Sequence, residues 1–229
     1  MEAGVKDATV VLEEKQSRKR RETMSEFLEK ESNYEKAIAR MTSMEPYHCG
    51  PFDNPPELKK KASDLVKELE SLTEEETDRR EKIMTELFGT SNKRAFLGNG
   101  FQCDYGFNIH FHGLAVINYN VVMLDTSPIN IGAGAFIAPG VCLACAGHGI
   151  HPTQRSRVLT SAPITLGDNV WLGANVTVIG GVTIGAGSVI GAGSVVTKDI
   201  PAGVIAAGNP CKVLREITEE DILEDMIEN

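Results

Sequence analysis

Residues 166–196, LGDNVWLGANVTVIGGVTIGAGSVIGAGSVV, place an aliphatic side chain at every sixth position: Leu166, Leu172, Val178, Ile184, Ile190 and Val196. Gly, Ala, Asn and Ser fill most of the space between them. A period of six fits neither the 3.6 of a helix nor the 2 of a half-buried strand. It describes short flat rungs, each ending on an apolar residue and followed by a glycine-rich turn, that stack as a solenoid. The spacing recurs upstream at Phe111, Ile117, Met123 and Ile129, then shifts by two to Ile131, Ile137 and Leu143. Leu143 and Leu166 are 23 residues apart, which is not a multiple of six. A loop over 144–163 therefore interrupts the coils, and on a rigid stack such a loop is a natural place for a functional site.

Charge divides the 229 residues unevenly. Residues 1–100 hold 18 of the 23 Lys and Arg and 21 of the 32 Asp and Glu, whereas 101–215 hold five cations, four carboxylates and 17 of the 22 glycines. Low charge with abundant glycine describes a linker, but regular aliphatic residues supply a core that a linker lacks. The net charge of −9 argues against a nucleic-acid partner, because phosphate backbones call for clustered cations. The longest basic run, Arg18–Arg21, sits among glutamates in a polar leader. No apolar stretch has the length of a signal peptide core or a membrane span, so a soluble, cytoplasmic protein with no membrane partner is expected. Five cysteines form no disulfide framework, and Cys142-x-x-Cys145 has no second pair to complete a zinc site, so small solenoid residues are expected there.

Four regions follow. Residues 1–45 read as a charged leader, partly disordered or helical. Residues 46–97 read as a helical domain: one helix starts at Pro55-Pro56 with Leu58, Ala62, Leu65, Val66, Leu69 and Leu72 on one face. A second follows the capping box Thr73–Glu76, buries Ile83, Met84, Leu87 and Phe88, and stops at Gly89. Residues 98–205 form the solenoid, and 206–229 a tail in which Thr218–Asp221 caps a short acidic helix.

In the interrupting loop, Gly147-His148-Gly149 offers an imidazole between glycines that let the backbone approach a ligand. A neutral imidazole accepts a proton at physiological pH, which suits a general base; tying down the loop is the alternative role. Around it stand Cys103–Ile109, Asn118-Tyr119-Asn120, Ile137-Ala138-Pro139, Asn169–Gly173, Val196–Pro201 and Ala207–Val213. This ordered set over about 46–217 resembles the hexapeptide-repeat acetyltransferases of the maltose, galactoside and nodulation type.

The resemblance implies a left-handed parallel β-helix, mainly β, with a small N-terminal helical domain and a short C-terminal helix. It implies direct acetyl transfer from acetyl-CoA to a free hydroxyl of a sugar-like acceptor in the cleft of a homotrimer, with no acyl-enzyme and no metal. His148 matches the family's base, and Asn118 the residue that contacts the acceptor and stabilises the tetrahedral species; a corner asparagine ladder is its structural alternative. Asp53 falls in the family's acceptor-binding region, and Asp104 at an acceptor-contacting position. Thr126 stands where bacterial galactoside enzymes carry a sugar-binding aspartate, although Asp125 keeps a carboxylate next door. Ala138, Ala174, Ala192, Thr197, Lys198, Lys212 and Arg215 match coenzyme A contacts, small residues admitting the pantetheine arm and polar ones the phosphates. Trp171 is expected against the interrupting loop.

Two other classes share the architecture. The γ-type carbonic anhydrases hold zinc with histidines on such a solenoid, and His110-Phe111-His112 with His148 and His151 invites comparison, although His148-x-x-His151 is too short for that family's pair. A silent scaffold is the other.

Overall fold

The computed structural model describes residues 33–73, 75–90 and 95–223. The Arg18–Arg21 run and the end of the acidic tail lie outside them. Helix α1 (33–41) buries Ala37 and Met41, and its Arg40 donates to the Asp53 carbonyl and the Asn54 side chain. Strand β1 (Tyr47–Cys49) follows, then α2 (Pro56–Ser71) with Pro56 at its start, where the missing N–H costs nothing. Ala62, Leu65, Val66 and Leu69 of α2 pack with Ile83, Met84 and Leu87 of α3 (Thr77–Leu87) on the solenoid's end. The Thr73–Glu76 box does not cap α3. Its Glu76 carboxylate folds back onto the Thr73 N–H and hydroxyl while Glu76 N–H donates to the Thr73 carbonyl, closing a separate turn before the helix.

From residue 95 the chain winds into a three-faced parallel solenoid. Face one stacks β2 (Ala95–Leu97), β5 (Ala115–Ile117), β8 (Ala135–Ile137), β13 (Trp171–Leu172), β16 (Val189–Ile190) and β18 (Val204–Ala207). Face two stacks β3 (Gln102–Cys103), β6 (Val122–Leu124), β9 (Cys142–Ala144), β14 (Thr177–Ile179) and β17 (Val195–Val196); face three stacks β4 (Ile109–Phe111), β7 (Ile129–Ile131), β12 (Ile164–Leu166) and β15 (Thr183–Ile184). Each rung sends its periodic aliphatic inward: Phe111, Ile117, Met123, Ile131, Ile137, Leu143, Leu172, Val178, Ile184, Ile190 and Val196 are all essentially sealed from solvent. Burying each such side chain contributes about 1.5–3 kcal/mol, and this column is the centre of a core that also takes in Ile109, Val121, Ile129, Val141, Val170 and Val176.

The pairing registers show where the period of six breaks. From face three to face one, and from face one to face two, every step is six residues, as in Ile131 to Ile137 to Leu143. All departures fall at the corner between faces two and three. Cys103 to Phe111 and Met123 to Ile131 take eight residues, Leu143 to Leu166 takes 23, Val178 to Ile184 six and Val196 to Ile200 four. The shift by two and the interrupting loop are therefore one feature: a single variable edge. At the far end β18 pairs antiparallel with β19 (Lys212–Glu216), and the described part of the tail makes one 3-10 turn, Glu219–Asp221, closed by a Thr218–Asp221 capping box.

Two glycines two residues apart test how tightly the coils stack. A Cβ at Gly185 would sit 2.3 Å from the Ala202 nitrogen, whereas Gly187, at φ +70°, faces open space. Gly187→Ala should cost only the left-handed backbone penalty, about 1–2 kcal/mol. Gly185→Ala must push two coils apart and should cost about 3 kcal/mol or lose the last coil. Guanidinium unfolding of both variants checks the order; equal losses would contradict it.

Candidate active site

The loop leaves the variable corner as β10 (Ala146–His148) and returns as β11 (Leu159–Ser161), and β11 pairs on its other side with β1. This small antiparallel sheet sets Cys49, Leu159 and His148 in one row. His148 is exposed, and its Nδ1 lies 3.0 Å from the Arg155 carbonyl oxygen. A carbonyl only accepts, so Nδ1 carries the proton and the Nε2 lone pair is left facing outward. His151 is set the opposite way: its Nδ1 accepts the Thr153 N–H at 3.3 Å and meets the Thr153 hydroxyl at 2.8 Å, so that lone pair is spent on the loop.

Below His148 on the same edge lies Asp125, fully buried. Its Oδ1 accepts the N–H groups of Asp104 (3.0 Å) and Tyr105 (2.8 Å), Oδ2 accepts that of Asn108 (3.4 Å), and the Asn108 amide returns a bond to the Asp125 carbonyl. The extra residues at one level of the corner are thus gripped by a carboxylate from the next. Burial is the main force on this group and pushes its pKa up to about 7, with Asp104 adding to the rise and the backbone N–H bonds opposing it. Next to it the Thr126 hydroxyl is buried at 2.6 Å from Ser161 Oγ, which also meets Ser127 Oγ at 2.7 Å; Tyr47 donates to the Thr126 carbonyl at 2.7 Å. Asp104 is paired with Lys59 at 2.5 Å, and Asp53 accepts the Gly50 N–H at 2.7 Å to close the turn after β1. Asp104, Thr126 and His148 therefore share one edge, and Asp53 approaches it from the helical domain.

Sequence reasoning missed Tyr47 and Ser161. Ser161 joins the edge through the return of the loop, and Tyr47 through pairing with a strand more than a hundred residues away, for which no local pattern exists.

Asn118 is elsewhere. It follows Ile117 at the corner between faces one and two, in register with Ala138 above it, and Ala174 and Ala192 lie one residue further round the same corner, two and three coils above Asn118. The Asn118 Oδ1 accepts the Tyr119 N–H at 2.8 Å, which leaves its Nδ2 free to donate outward. Above Gly191, the residue before Ala192, comes Ala207, whose partner across the hairpin is Lys212. The corner is thus a strip of small residues ending at an exposed cation, a surface that fits an extended pantetheine arm leading to phosphates. Arg215, on the same hairpin, makes two hydrogen bonds of 2.6 and 2.7 Å to Asp221, whose carboxyl this guanidinium holds down at about 2. Thr197 and Lys198 are exposed at the top of the variable edge.

Trp171 does not touch the interrupting loop. Strand β13 belongs to face one, opposite the corner from which the loop departs, and Trp171 stands half-exposed there between Phe136 and Val189. The five thiols are free, and burial raises the pKa of each, Cys145 to about 12, so none is poised as a nucleophile. Cys145 is buried and Cys142 partly so. His110 meets the Thr90 hydroxyl and His112 the Asn130 side chain, and among the described residues no three His, Cys, Asp or Glu side chains gather as metal ligands. No described helix is long and apolar enough to cross a membrane.

A stacked solenoid with an exposed imidazole on one edge and a small-residue strip ending at a cation on another is an arrangement consistent with a coenzyme A-dependent acyltransferase. Comparison with known proteins agrees. Residues 163–198 match the family model for the bacterial transferase hexapeptide, six repeats. The galactoside O-acetyltransferase of Escherichia coli is 41% identical over 167 residues, covering 72% of this chain and 82% of that protein. The sophorolipid acetyltransferase of Starmerella bombicola is 38% identical over 202 residues, covering 82% and 75%. The solved structure of a galactoside acetyltransferase in complex with coenzyme A superposes with a TM-score of 0.71 at 39% identity, covering 76% of this chain and 90% of that one. The chain belongs to the hexapeptide-repeat acetyltransferases of the maltose, galactoside and nodulation type, and is an acetyl-CoA-dependent acetyltransferase.

Asp125 yields a pH prediction. A carboxyl whose folded pKa exceeds its unfolded value of about 3.9 holds its proton more tightly when folded, so its contribution to stability falls as pH rises from about 4 through about 7. Asp125→Asn removes that titration. The stability of the native protein relative to this variant should therefore decline between pH 4.5 and 7.5 in paired urea melts. A flat or rising difference would show the carboxyl ionised throughout.

Proposed function

We propose that the protein transfers acetyl from acetyl-CoA directly to a hydroxyl of a sugar or sugar-like small molecule, with His148 as general base, at the cleft between copies of a homotrimer. The observation that carries the chemistry is the bond from His148 Nδ1 to the Arg155 carbonyl, which fixes the tautomer that a base requires. Acetyl-CoA supplies the thioester carbonyl that is attacked and the thiolate that leaves. His148 Nε2 takes the proton of the acceptor hydroxyl as its oxygen forms the new ester bond, and later yields that proton to the departing sulfur. Asn118 Nδ2 donates to the oxygen on which negative charge develops. Raised thiol pKa values support transfer without an acyl-enzyme.

The trimer rests on where the groups lie. Asn118 and His148 occupy different corners, separated by one face of the prism, on the order of 15–20 Å at the strand rise. Direct transfer needs them within a few ångström of one substrate. Apposing the Asn118 corner of one copy to the His148 corner of the next assembles the set, and cyclic symmetry repeats it. Half-exposed Phe136 and Trp171 on face one supply apolar surface beside that seam. A sugar acceptor is supported by relatives named for galactosides and for sophorolipids.

His148→Ala should lower kcat roughly a hundredfold to ten-thousandfold and abolish the acidic limb of the kcat/KM profile, with the protein still folded and binding coenzyme A. His151→Ala should cost far less. Full activity in folded His148→Ala protein would rule the mechanism out.

At the other end of the site, Lys198→Ala and Lys212→Ala should raise the KM for acetyl-CoA while leaving that for a saturable acceptor nearly unchanged, because charge-assisted bonds to phosphate lie far from the reacting atoms. Unchanged coenzyme affinity in both would make them ordinary surface charges.

A further inference from the structure

The polar groups on the acceptor edge are largely committed to one another. Asp104 is paired with Lys59. The hydroxyls of Thr126, Ser127 and Ser161 share two short bonds, Tyr47 is bound to the Thr126 carbonyl, and Asn54 accepts from Arg40. The Asp125 carboxylate is taken up by three backbone N–H groups. A site that recognises a polyhydroxylated molecule by hydrogen bonding presents unpaired donors and acceptors. Beyond the His148 imidazole and the second oxygen of the Asp53 carboxylate this edge presents few, which leaves apolar contact to supply much of the acceptor's binding free energy.

Apolar contact is available at the adjoining rim. Strands β1 and β10 both run antiparallel to β11, hence parallel to each other, and leave the row Cys49–Leu159–His148 at the same end of the sheet. Two residues beyond His148 is Ile150, and three beyond Cys49 is Phe52; Val158 precedes Leu159 between them. Of the described large apolar side chains only Phe52 (93% exposed), Ile150 (92%) and Leu223 (88%) are more than four-fifths exposed, and two of the three stand on this rim. Both are held out by closed turns, Phe52 by the bond from Gly50 N–H to Asp53 and Ile150 by that from Arg155 to the Ile150 carbonyl. Past Phe52 opens a groove of about 430 Å³ in which Tyr34, Pro55 and Pro56 stand beside the charged Lys36, Arg40, Asp53 and Glu57, so the apolar surface of the rim ends at Phe52.

We propose that the acceptor is an amphiphile. Its hydroxylated head faces His148, and its apolar tail crosses Ile150 and Val158 to the exposed ring of Phe52. This rests on the O-acetyltransferase reading above and narrows its acceptor to molecules that carry an alkyl or comparable apolar group.

The test uses the full chain, acetyl-CoA, and methyl, hexyl and octyl β-glucosides kept below their micelle-forming concentrations. Each methylene that is buried is worth about fourfold, or about 0.8 kcal/mol, so the octyl-to-methyl ratio of kcat/KM should exceed about tenfold even with partial burial. Phe52→Ser and Ile150→Ser should each pull that ratio down towards one at unchanged oligomeric mass. A native ratio near one with methyl glucoside acetylated would overturn the proposal and leave the O-acetyltransferase reading standing. So would variants that keep the native ratio, turnover confined to micelles, or variants of altered oligomeric mass, which would make the rim a contact between copies. Acetylation of none of the glucosides would reject the sugar O-acetyltransferase reading and the proposal together.

Discussion

Hydrogen bonding between successive coils is the constraint on which the rest of the molecule depends. Each rung is bonded to the rungs above and below it at strand spacing, so a coil keeps its place only if its residues stay in register with both neighbours. Two of the three corners obey that condition with six residues at every level. The third absorbs additions of two, a loop and a deletion of two, because a corner can bulge outward without moving the rungs that flank it. Where it bulges, the added backbone needs partners, and Asp125 supplies them for Asp104, Tyr105 and Asn108.

The same constraint divides the chemistry. The bulging edge can carry a hairpin, and the hairpin carries His148 with its tautomer set by a backbone carbonyl. The regular edge cannot bulge, so it offers a straight strip of small residues from Asn118 to Ala207 and Lys212. One edge suits proton transfer, the other an extended cofactor arm. Within one chain a face of the prism separates the two edges, and it is the proposed arrangement of copies around an axis that would bring them together.

Much of this was legible in the residues. The sixfold repeat announced the solenoid, the apolar faces of Ala62–Leu69 and Ile83–Leu87 the two helices, and Gly147-His148-Gly149 the exposed imidazole. What could not be read was long-range. The pairing of Tyr47–Cys49 with Leu159–Ser161, the gathering of all irregular steps at one corner, and the placing of Trp171 opposite the loop depend on which face each rung joins, and the repeat is alike on all three. Polar commitments were hidden as well: Thr126 reads as a free hydroxyl until Ser161 closes on it, and Thr73–Glu76 reads as a helix cap until its carboxylate turns back onto Thr73.

The division of the active site between copies is tested most directly by mixing two inactive variants, His148→Ala and Asn118→Ala. After co-expression in equal amounts, with all oligomers assayed together, a site built from His148 of one copy and Asn118 of its neighbour is intact in about a quarter of cases, since each partner is correct half the time. Recovery of about a quarter of the native acetyl-CoA turnover is the predicted result. Mixed oligomers as inactive as the separate variants would contradict the account, because they would place the base and the oxyanion donor in the same chain.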